Sequence, residues 1–379
     1  MGKASANVTG TAAAGSFTFN PQWIVLTRGC RDTPDRRAVV ERAVAAFPDA
    51  EVVERLDKPH NRIDLGRGDP LALHRRGKRT LVLAVHRSAV RRSEEAGNTC
   101  PNYWHFSPYG FCPYGCHYCY LAGTPGVWFS PTVKVYVNLP EILSEIDRAA
   151  RRLDEPTAFY LGKLQDGLAL ERLTGYSRQL VPFFAEHPTA RMIVLTKSAD
   201  IGNLLDLDHR GHTILSWSLN PPEVVRKFEA DTPPVEARVE AMQRCAAAGY
   251  PVRAVIMPLI PIADWRDAYE RFIDSLFAAV PLARITLGGI CSYAHARRLM
   301  DAKLGRTNLI SRLLDEHGET SPDGRSRYEE PLRVEMYDHL ISCLRRRRPD
   351  LEVALCLEEP GVFEALGLAA AIGRCNCVL

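Results

Sequence analysis

"DTPPVEARVEAMQRCAAAGYPVRAVIM", residues 231–257, reads as one helix followed at once by one strand, and that reading decides the fold. Val235, Val239, Met242 and Ala246 recur at intervals of three and four, so they lie along one face of a helix. Asp231 or Thr232 is placed to cap this helix, Pro233 and Pro234 suit its first turn, and Gly249 stops it, giving an expected span of 233–248. "PVRAVIM" then has the length and the branched apolar content of a buried strand.

The same alternation extends in both directions. Strands are expected at "YWHFSPYG", "TAFYLGK", "RMIVLTK", "HTILSWSL", "PVRAVIM" and "ARITLGGI", with helices near 139–153, 172–186, 233–248 and 264–279. A further helix near 329–347 leads into a last strand, "LEVALCLE". Six β/α steps in succession predict an α/β fold with a parallel sheet curved into a partial (β/α)6 TIM-type barrel. Ahead of it, strand "QWIVLTR", helix "PDRRAVVERAVAAF", strand "EVVERL", a polar loop through His60 and Asn61, and strand "RTLVLAVHR" form a small α/β lead-in unit, joined on by the polar segment "SAVRRSEEAGNT". The expected division is a flexible tail over 1–20, the lead-in unit over 21–98, the barrel over 99–357 and a cysteine-containing tail over 358–379.

Composition bounds what such a chain does. With 379 residues, 46% of them hydrophobic and 25% charged, it is a globular protein, and a net charge of +3 is too mild to announce nucleic-acid binding. It contains no apolar run long enough to span a membrane and no export signal in "MGKASANVTGTAAAGSFTF". Eleven cysteines in that setting point to reduced thiols and a cytoplasmic location, where clustered cysteines mean metal or catalysis.

Three of the eleven stand within eight positions. In "GFCPYGCHYCYLAG", residues 110–123, Cys112, Cys116 and Cys119 directly follow the first barrel strand, at the sheet end where the loops of such a fold hold their chemistry. A structural zinc site needs four ligands, so His105 or His117 would have to complete it. A 4Fe–4S cluster held by three thiolates keeps one iron open for a substrate or cofactor. The C-x3-C-x2-C spacing at this position resembles the radical SAM superfamily. That resemblance implies that the open iron chelates S-adenosylmethionine (SAM) and that reductive cleavage supplies a 5′-deoxyadenosyl radical. It also implies an external electron donor of flavodoxin or ferredoxin type.

Further segments are similar to the spore photoproduct lyase family, whose members reverse a thymine–thymine adduct in DNA. They are "GCHYCYLAG", "VYVNLPEIL", "LTK" ending at Lys197, "SWSLNPPEVVRKFEADTPPVEARVEAMQRCAAAGYP" and "PLIPIADWRDAYERF", with "LVLAVHRS" and the His60–Asn61 pair in the lead-in unit. The likeness covers about residues 22–300 and implies Cys112, Cys116 and Cys119 as cluster ligands. It implies Lys197, Ser218 and Asn220 as contacts to the SAM carboxylate or ribose, and Asp166 as an acceptor for the ribose or amino group, with a helix-start cap as its alternative. Tyr118 is the aromatic residue beside the cluster, and Tyr118 and Tyr120 together relay a hydrogen atom.

Three departures concern the substrate. The family's hydrogen-donor cysteine falls at Lys163, in "YLGKLQD", which has no thiol. The family's basic hairpin corresponds to "SPDGRSRYEEPLR", where Glu329 and Glu330 follow Arg325, Arg327 and Tyr328 and weaken any hold on duplex DNA. The chain also ends in "EEPGVFEALGLAAAIGRCNCVL", where a tail carrying Cys375 and Cys377 could fold back over the cluster mouth. Cys291, Cys375 or Cys377 then becomes the replacement donor, or the four late thiols, Cys356 included, ligate a second iron–sulfur cluster. Cys30, Cys100, Cys245 and Cys343 read as structural. Two rival functions stay open: a radical epimerase, lyase or desaturase acting on a small metabolite or peptide, and a non-catalytic zinc or nucleic-acid binding protein.

Overall fold

The computed structural model describes residues 19–94, 99–124, 127 and 129–379. The tail expected over 1–20 lies, as far as residue 18, outside them. In chain order the strands begin with β1 (Trp23–Thr27), β2 (Glu51–Arg55), β3 (Thr80–Ala84), β4 (Val90–Ser93), β5 (Tyr103–Phe106), β6 (Tyr109–Gly110) and β7 (Val133–Tyr136). They continue with β8 (Thr157–Leu161), β9 (Ala190–Thr196), β10 (Thr213–Leu219), β11 (Val252–Ile256) and β12 (Arg284–Leu287), then the hairpin of β13 (Gly318–Thr320) and β14 (Ser326–Tyr328), and last β15 (Glu352–Leu355).

The main sheet has eight strands in the order β15-β12-β11-β10-β9-β8-β5-β4. Every neighbouring pair from β15 to β5 is parallel, and only β4 runs antiparallel, against β5. Helices Leu139–Leu153, Ser177–Glu186, Val235–Ala247, Trp265–Ala279 and Glu330–Arg347 provide five of the six crossovers in the parallel run, and a loop without a helix joins β9 to β10. All seven residues of β10 are buried, as expected of a strand covered on both faces. β4 and β15 are the two edges, so the sheet is not a closed barrel. Its ends nevertheless meet: the Thr99 N–H, between β4 and β5, donates to the Glu358 carbonyl just past β15 at 2.9 Å.

A second sheet has the order β2-β1-β3-β7-β6. It does not respect the expected boundary at residue 98, because β7 pairs in parallel with β3 and antiparallel with β6. The strand "VKVY" is fully buried between β3 and β6, with the Lys134 ammonium donating to the carbonyls of Ser130 and Thr132, a placement no periodicity announces. Two other details differ from expectation. The helix expected from 233 starts at Val235 without a side-chain cap, because Asp231 takes a left-handed backbone (φ +61°) and the Thr232 hydroxyl donates to the Glu229 carbonyl. The polar stretch before β3 contains a helix, Pro70–Lys78, capped by the Asp69 side chain on the Ala72 N–H.

The C-terminal tail does not fold over the cluster mouth. It enters the fold at the opposite, N-terminal ends of the strands. Arg253, second in β11, donates to the Val378 carbonyl at 2.7 Å. Arg284, first in β12, donates to the carbonyls of Cys375, Val378 and Leu379 at 3.0, 3.1 and 3.0 Å. Arg374 bonds Glu352, first in β15, at 2.8 Å. Cys377 and Val378 pack on Tyr103, Ala158, Tyr160, Ile193 and Ile214. Buried guanidinium groups need acceptors and buried carbonyls need donors, and the tail satisfies both.

Candidate active site: a thiol loop above a cavity

Cys112, Cys116 and Cys119 sit on a loop fixed by backbone contacts. The N–H groups of Gly115 and His117 donate to the carbonyls of Ala230 and Phe228 at 2.9 and 2.8 Å. A Cβ on Gly115 would stand 2.4 Å from Asp231 Oδ2 and 3.3 Å from the Ala230 carbonyl oxygen, so any larger residue there would displace the Asp231 side chain. The Lys78 ammonium donates to the carbonyls of Cys112 and Tyr114 and lies 4.0 Å from the centre of the Phe111 ring.

Each thiol has a lysine near it. Burial pushes the Cys112 and Cys116 thiols up, the latter to about 12, and the charges of Lys78 and Lys197 respectively pull against it. Lys303 feels both Cys119 and Cys116. Buried thiolates need cationic surroundings, and the lysines supply them. Among the described residues, the only Cys, His, Asp or Glu group whose ligand atoms all lie within 4.8 Å of one another is Glu270, His339 and Cys343, on the far side of the fold. Neither His105 nor His117 therefore closes the loop thiols into a site for a single zinc ion, whereas three spaced thiols fit the wider reach of an iron–sulfur cube.

Beneath the loop lies a cavity of about 430 Å³ lined by Cys112, Cys116, Cys119, Tyr118, Tyr120, Lys163, Asp166, Lys197, Ser218 and Cys291, among others. Lys197, just after β9, donates from Nζ to Ser218 Oγ at 2.6 Å and lies 4.0 Å from Glu229 Oε1. Glu229 and Arg238, neither singled out from the sequence, hold this wall together. Arg238 donates to Glu229 Oε2 at 2.6 Å with both side chains fully buried, and the Tyr118 hydroxyl donates to Glu229 Oε1. Burial works to raise the Glu229 carboxyl, but Lys197, Arg238 and the Tyr118 hydroxyl outweigh it and hold it below the usual carboxylate range. One signal was available: Arg238 falls on the apolar face of its helix, between Val235 and Met242, where an unpaired charge is not tolerated.

Asp166 is already committed. Its Oδ1 accepts from the Leu168 and Ala169 N–H groups and the Thr196 hydroxyl at 3.0, 2.9 and 2.6 Å, and its Oδ2 from the Lys197 N–H at 2.6 Å. These bonds brace the strand end that carries Lys197; Asp166 caps no helix, since the next one begins at Glu171 without a side-chain cap, and it also lines the cavity. Asn220 is completely buried, its amide engaged with the Tyr269 hydroxyl at 2.9 Å and Glu229 at 3.4 Å, so it sits behind the wall instead of meeting a cofactor. Lys163 donates to the Ser93 hydroxyl and overlies the Tyr103 ring at 5.4 Å.

The arginines of the hairpin segment turn inward. Arg325 and Arg327 are buried; Arg325 donates to Asp323 at 2.8 Å, and Arg327 donates to the Leu357 carbonyl at 3.0 Å beside Glu358 and Glu359. The buried Tyr328 completes a hairpin bonded to the end of β12 through Ser292 and Ser326. Arg327 thus meets carboxylates inside the protein, while Arg325, paired with Asp323, also lines the cavity.

The late thiols divide. Cys291 lies on the cavity wall after β12, and burial pushes it up to about 12. Cys356, Cys375 and Cys377 gather with Cys100, a residue that no local pattern groups with them. The Cys100 thiol is within hydrogen-bonding reach of those of Cys356 and Cys375, and Cys375 of Cys377. Cys30, Cys245 and Cys343 pack in the hydrophobic core.

A sequence model described as spore photoproduct lyase matches residues 19–290. The chain is 30% identical over 213 residues to the spore photoproduct lyase of Bacillus subtilis (strain 168), covering 56% of this chain and 60% of that one. It is also 30% identical over 223 residues to that of Geobacillus sp. (strain Y412MC61), covering 57% and 62%. The matched region thus spans about three fifths of these relatives' length. Among solved structures, spore photoproduct lyase complexed with dinucleoside spore photoproduct superposes with a TM-score of 0.77 at 22% identity, over 89% of this chain and 100% of that one. A variant of that enzyme with bound AdoMet and dinucleoside spore photoproduct superposes with a TM-score of 0.76 over 89% and 98%. With a family match across most of its length, a thiol loop of the family's pattern and the family's fold, this chain belongs to the spore photoproduct lyase family.

Proposed function

We propose that this chain is a SAM-dependent radical lyase whose main sheet is the partial barrel expected of such enzymes. The observation that carries the proposal is the loop of three thiols, each near a lysine, above a cavity whose wall presents Lys197 and Ser218. When bound, a 4Fe–4S cluster and SAM would supply a 5′-deoxyadenosyl radical for hydrogen abstraction. Cys112, Cys116 and Cys119 would hold the cluster, fed by an external one-electron donor of flavodoxin or ferredoxin type. Lys197 offers its ammonium to the SAM carboxylate, since Ser218 and a Glu229 shared with Arg238 leave its charge incompletely matched. The Tyr118 hydroxyl is held in a hydrogen bond that it donates to Glu229, so the ring stays a fixed aromatic wall, while Tyr120 faces the cavity as the hydrogen-relay residue. Cys291 is the proximal donor in place of the thiol missing at Lys163, because a thiol raised to about 12 remains S–H at neutral pH. A cytoplasmic location belongs to the same proposal; among the described residues no helix is long and apolar enough to cross a membrane.

By relation to proteins named spore photoproduct lyase, the substrate is a thymine adduct in DNA. A smaller substrate is the second reading, favoured by one observation: Arg325 and Arg327 spend their charges inside the protein. Two measurements test these readings. Reconstituted protein given SAM and dithionite should release 5′-deoxyadenosine, and none at all would overturn the radical assignment. Affinity for a duplex carrying the adduct should fall steeply with salt if several phosphates are contacted, and no binding at low salt would leave the smaller substrate.

A further inference from the structure

Four thiols at the tail end of the cavity have no part in the chemistry proposed above. Cys100 precedes β5, Cys356 follows β15, and Cys375 and Cys377 lie on the tail that Arg253 and Arg284 hold in place. The seam between the sheet's two ends brings them together: the Thr99 N–H and hydroxyl both donate to the Glu358 carbonyl, at 2.9 and 3.0 Å, which sets Cys100 beside Cys356. Cys100 reaches Cys356 and Cys375, Cys375 reaches Cys377, and the Cys377 N–H donates to Cys375 Sγ at 3.4 Å. Cys100, Cys356 and Cys377 line the cavity, and Cys375 is buried directly behind them.

A single buried cysteine is ordinary apolar filler, but four in contact, drawn from three segments, form a ligand set. Their surroundings suit an anionic sulfur centre. The side chains of Arg253 and Arg284 bond the tail's own backbone oxygens, Glu352 pairs with Arg284 at 2.9 Å, and Arg253 feels both Cys375 and Cys377. Asn376, between the two tail cysteines, accepts from the Ser216 hydroxyl at 2.8 Å while its buried Nδ2 has no acceptor. An amide N–H placed on the cavity wall is what a cluster sulfide takes up. Three of the six sulfur pairs lie within hydrogen-bonding reach, yet no three of the four sulfurs lie mutually within 4.8 Å, so the set is too drawn out for one tetrahedral zinc ion, whose sulfurs all stand about 3.8 Å apart. To hold a cube, the touching pairs would swing apart around the inorganic core.

We infer that Cys100, Cys356, Cys375 and Cys377 ligate a second iron–sulfur cluster of the 4Fe–4S class, fully coordinated by protein. With four protein ligands it has no open iron and binds no SAM, so the cavity lies between a substrate-facing cluster at the loop and a closed one at the tail.

Iron, sulfide and zinc per chain, measured after anaerobic reconstitution, test this. The unaltered chain should hold about eight irons and eight sulfides, and C112A/C116A/C119A and C375S/C377S about four of each. The serine variants keep the tail's backbone anchors, and circular dichroism checks their fold. The triple variant keeps the second site intact, so its remaining iron gives an independent reading. An iron-free triple variant overturns the second cluster and leaves the loop assignment standing. A triple variant that keeps all the iron of the unaltered chain, with C375S/C377S losing it, overturns the loop assignment and keeps this one. One zinc per chain, lost with C375S/C377S, or a Cys375–Cys377 disulfide in reconstituted protein, also overturns the inference.

Discussion

At the loop end of the cavity, three thiols come from eight consecutive residues, and lysines from three other elements converge on them. At the tail end, four thiols come from three segments far apart in the chain, and arginines anchored to backbone carbonyls hold the last of those segments in place. The first arrangement is local and electrostatic, and the second depends on long-range closure of the sheet. Strand β10 links them. Ile214 packs on the tail, Ser216 bonds Asn376 and Ser218 bonds Lys197, three residues at a spacing of two that share one face and lead from one end to the other.

The comparison can be broken at either end. The largest effect is expected at the loop: Cys112→Ala should lower 5′-deoxyadenosine formation from SAM to background, and normal turnover would remove the loop from the chemistry. Next, Glu229→Gln removes the charge that Arg238 and Lys197 share. Breaking a buried pair on one side costs about 3–5 kcal/mol, so urea melts should show a loss of that size together with weaker SAM binding. An unchanged melt would mean that the wall does not depend on this carboxylate.

At the tail end, Arg284→Met removes the donor to three tail carbonyls. Hydrogen bonds from a charged group are worth about 1.5–3 kcal/mol each, and part of that is recovered as water reaches the freed carbonyls. The expected outcome is a smaller loss of global stability than for Glu229→Gln, with much faster alkylation of Cys377 and increased amide exchange over 375–379. Equal alkylation in both proteins would show that the tail is held by its apolar contacts alone. The smallest effect separates Cys291 from the tail thiols. A donor held near 12 stays protonated across neutrality, so the yield of quenched product per SAM cleaved should be flat from about pH 6 to 9. A decline over that range would point to a thiol nearer its ordinary value. Cys375 would fail sooner still, since hydrogen bonds from Cys100 and Cys377 hold it well below that value.

Much of the fold was legible because apolar periodicity reports which faces are buried, and the strands from "TAFYLGK" to "LEVALCLE" stand where that pattern put them. The lead-in boundary was not legible: β7 has only four residues, and its buried Lys134 reads as an exposed position, so periodicity does not say which sheet it joins. At the site, the sequence placed the loop thiols, Lys197 and Ser218 near strand ends, and the structure brings them to one cavity. Asp166 and Asn220 could not be judged, since a polar side chain at a strand end serves equally as a ligand or as a brace, and only its hydrogen-bond partners distinguish the two.

By itself, the sequence determined the β/α succession and the three-thiol loop, because both are encoded in neighbouring residues. The tertiary structure alone decided that Arg325 and Arg327 turn inward, that the tail enters beneath the strands, and that Cys100 joins Cys356, Cys375 and Cys377. Such placements follow from which buried charges and carbonyls find partners once distant segments meet, and no local pattern carries that information.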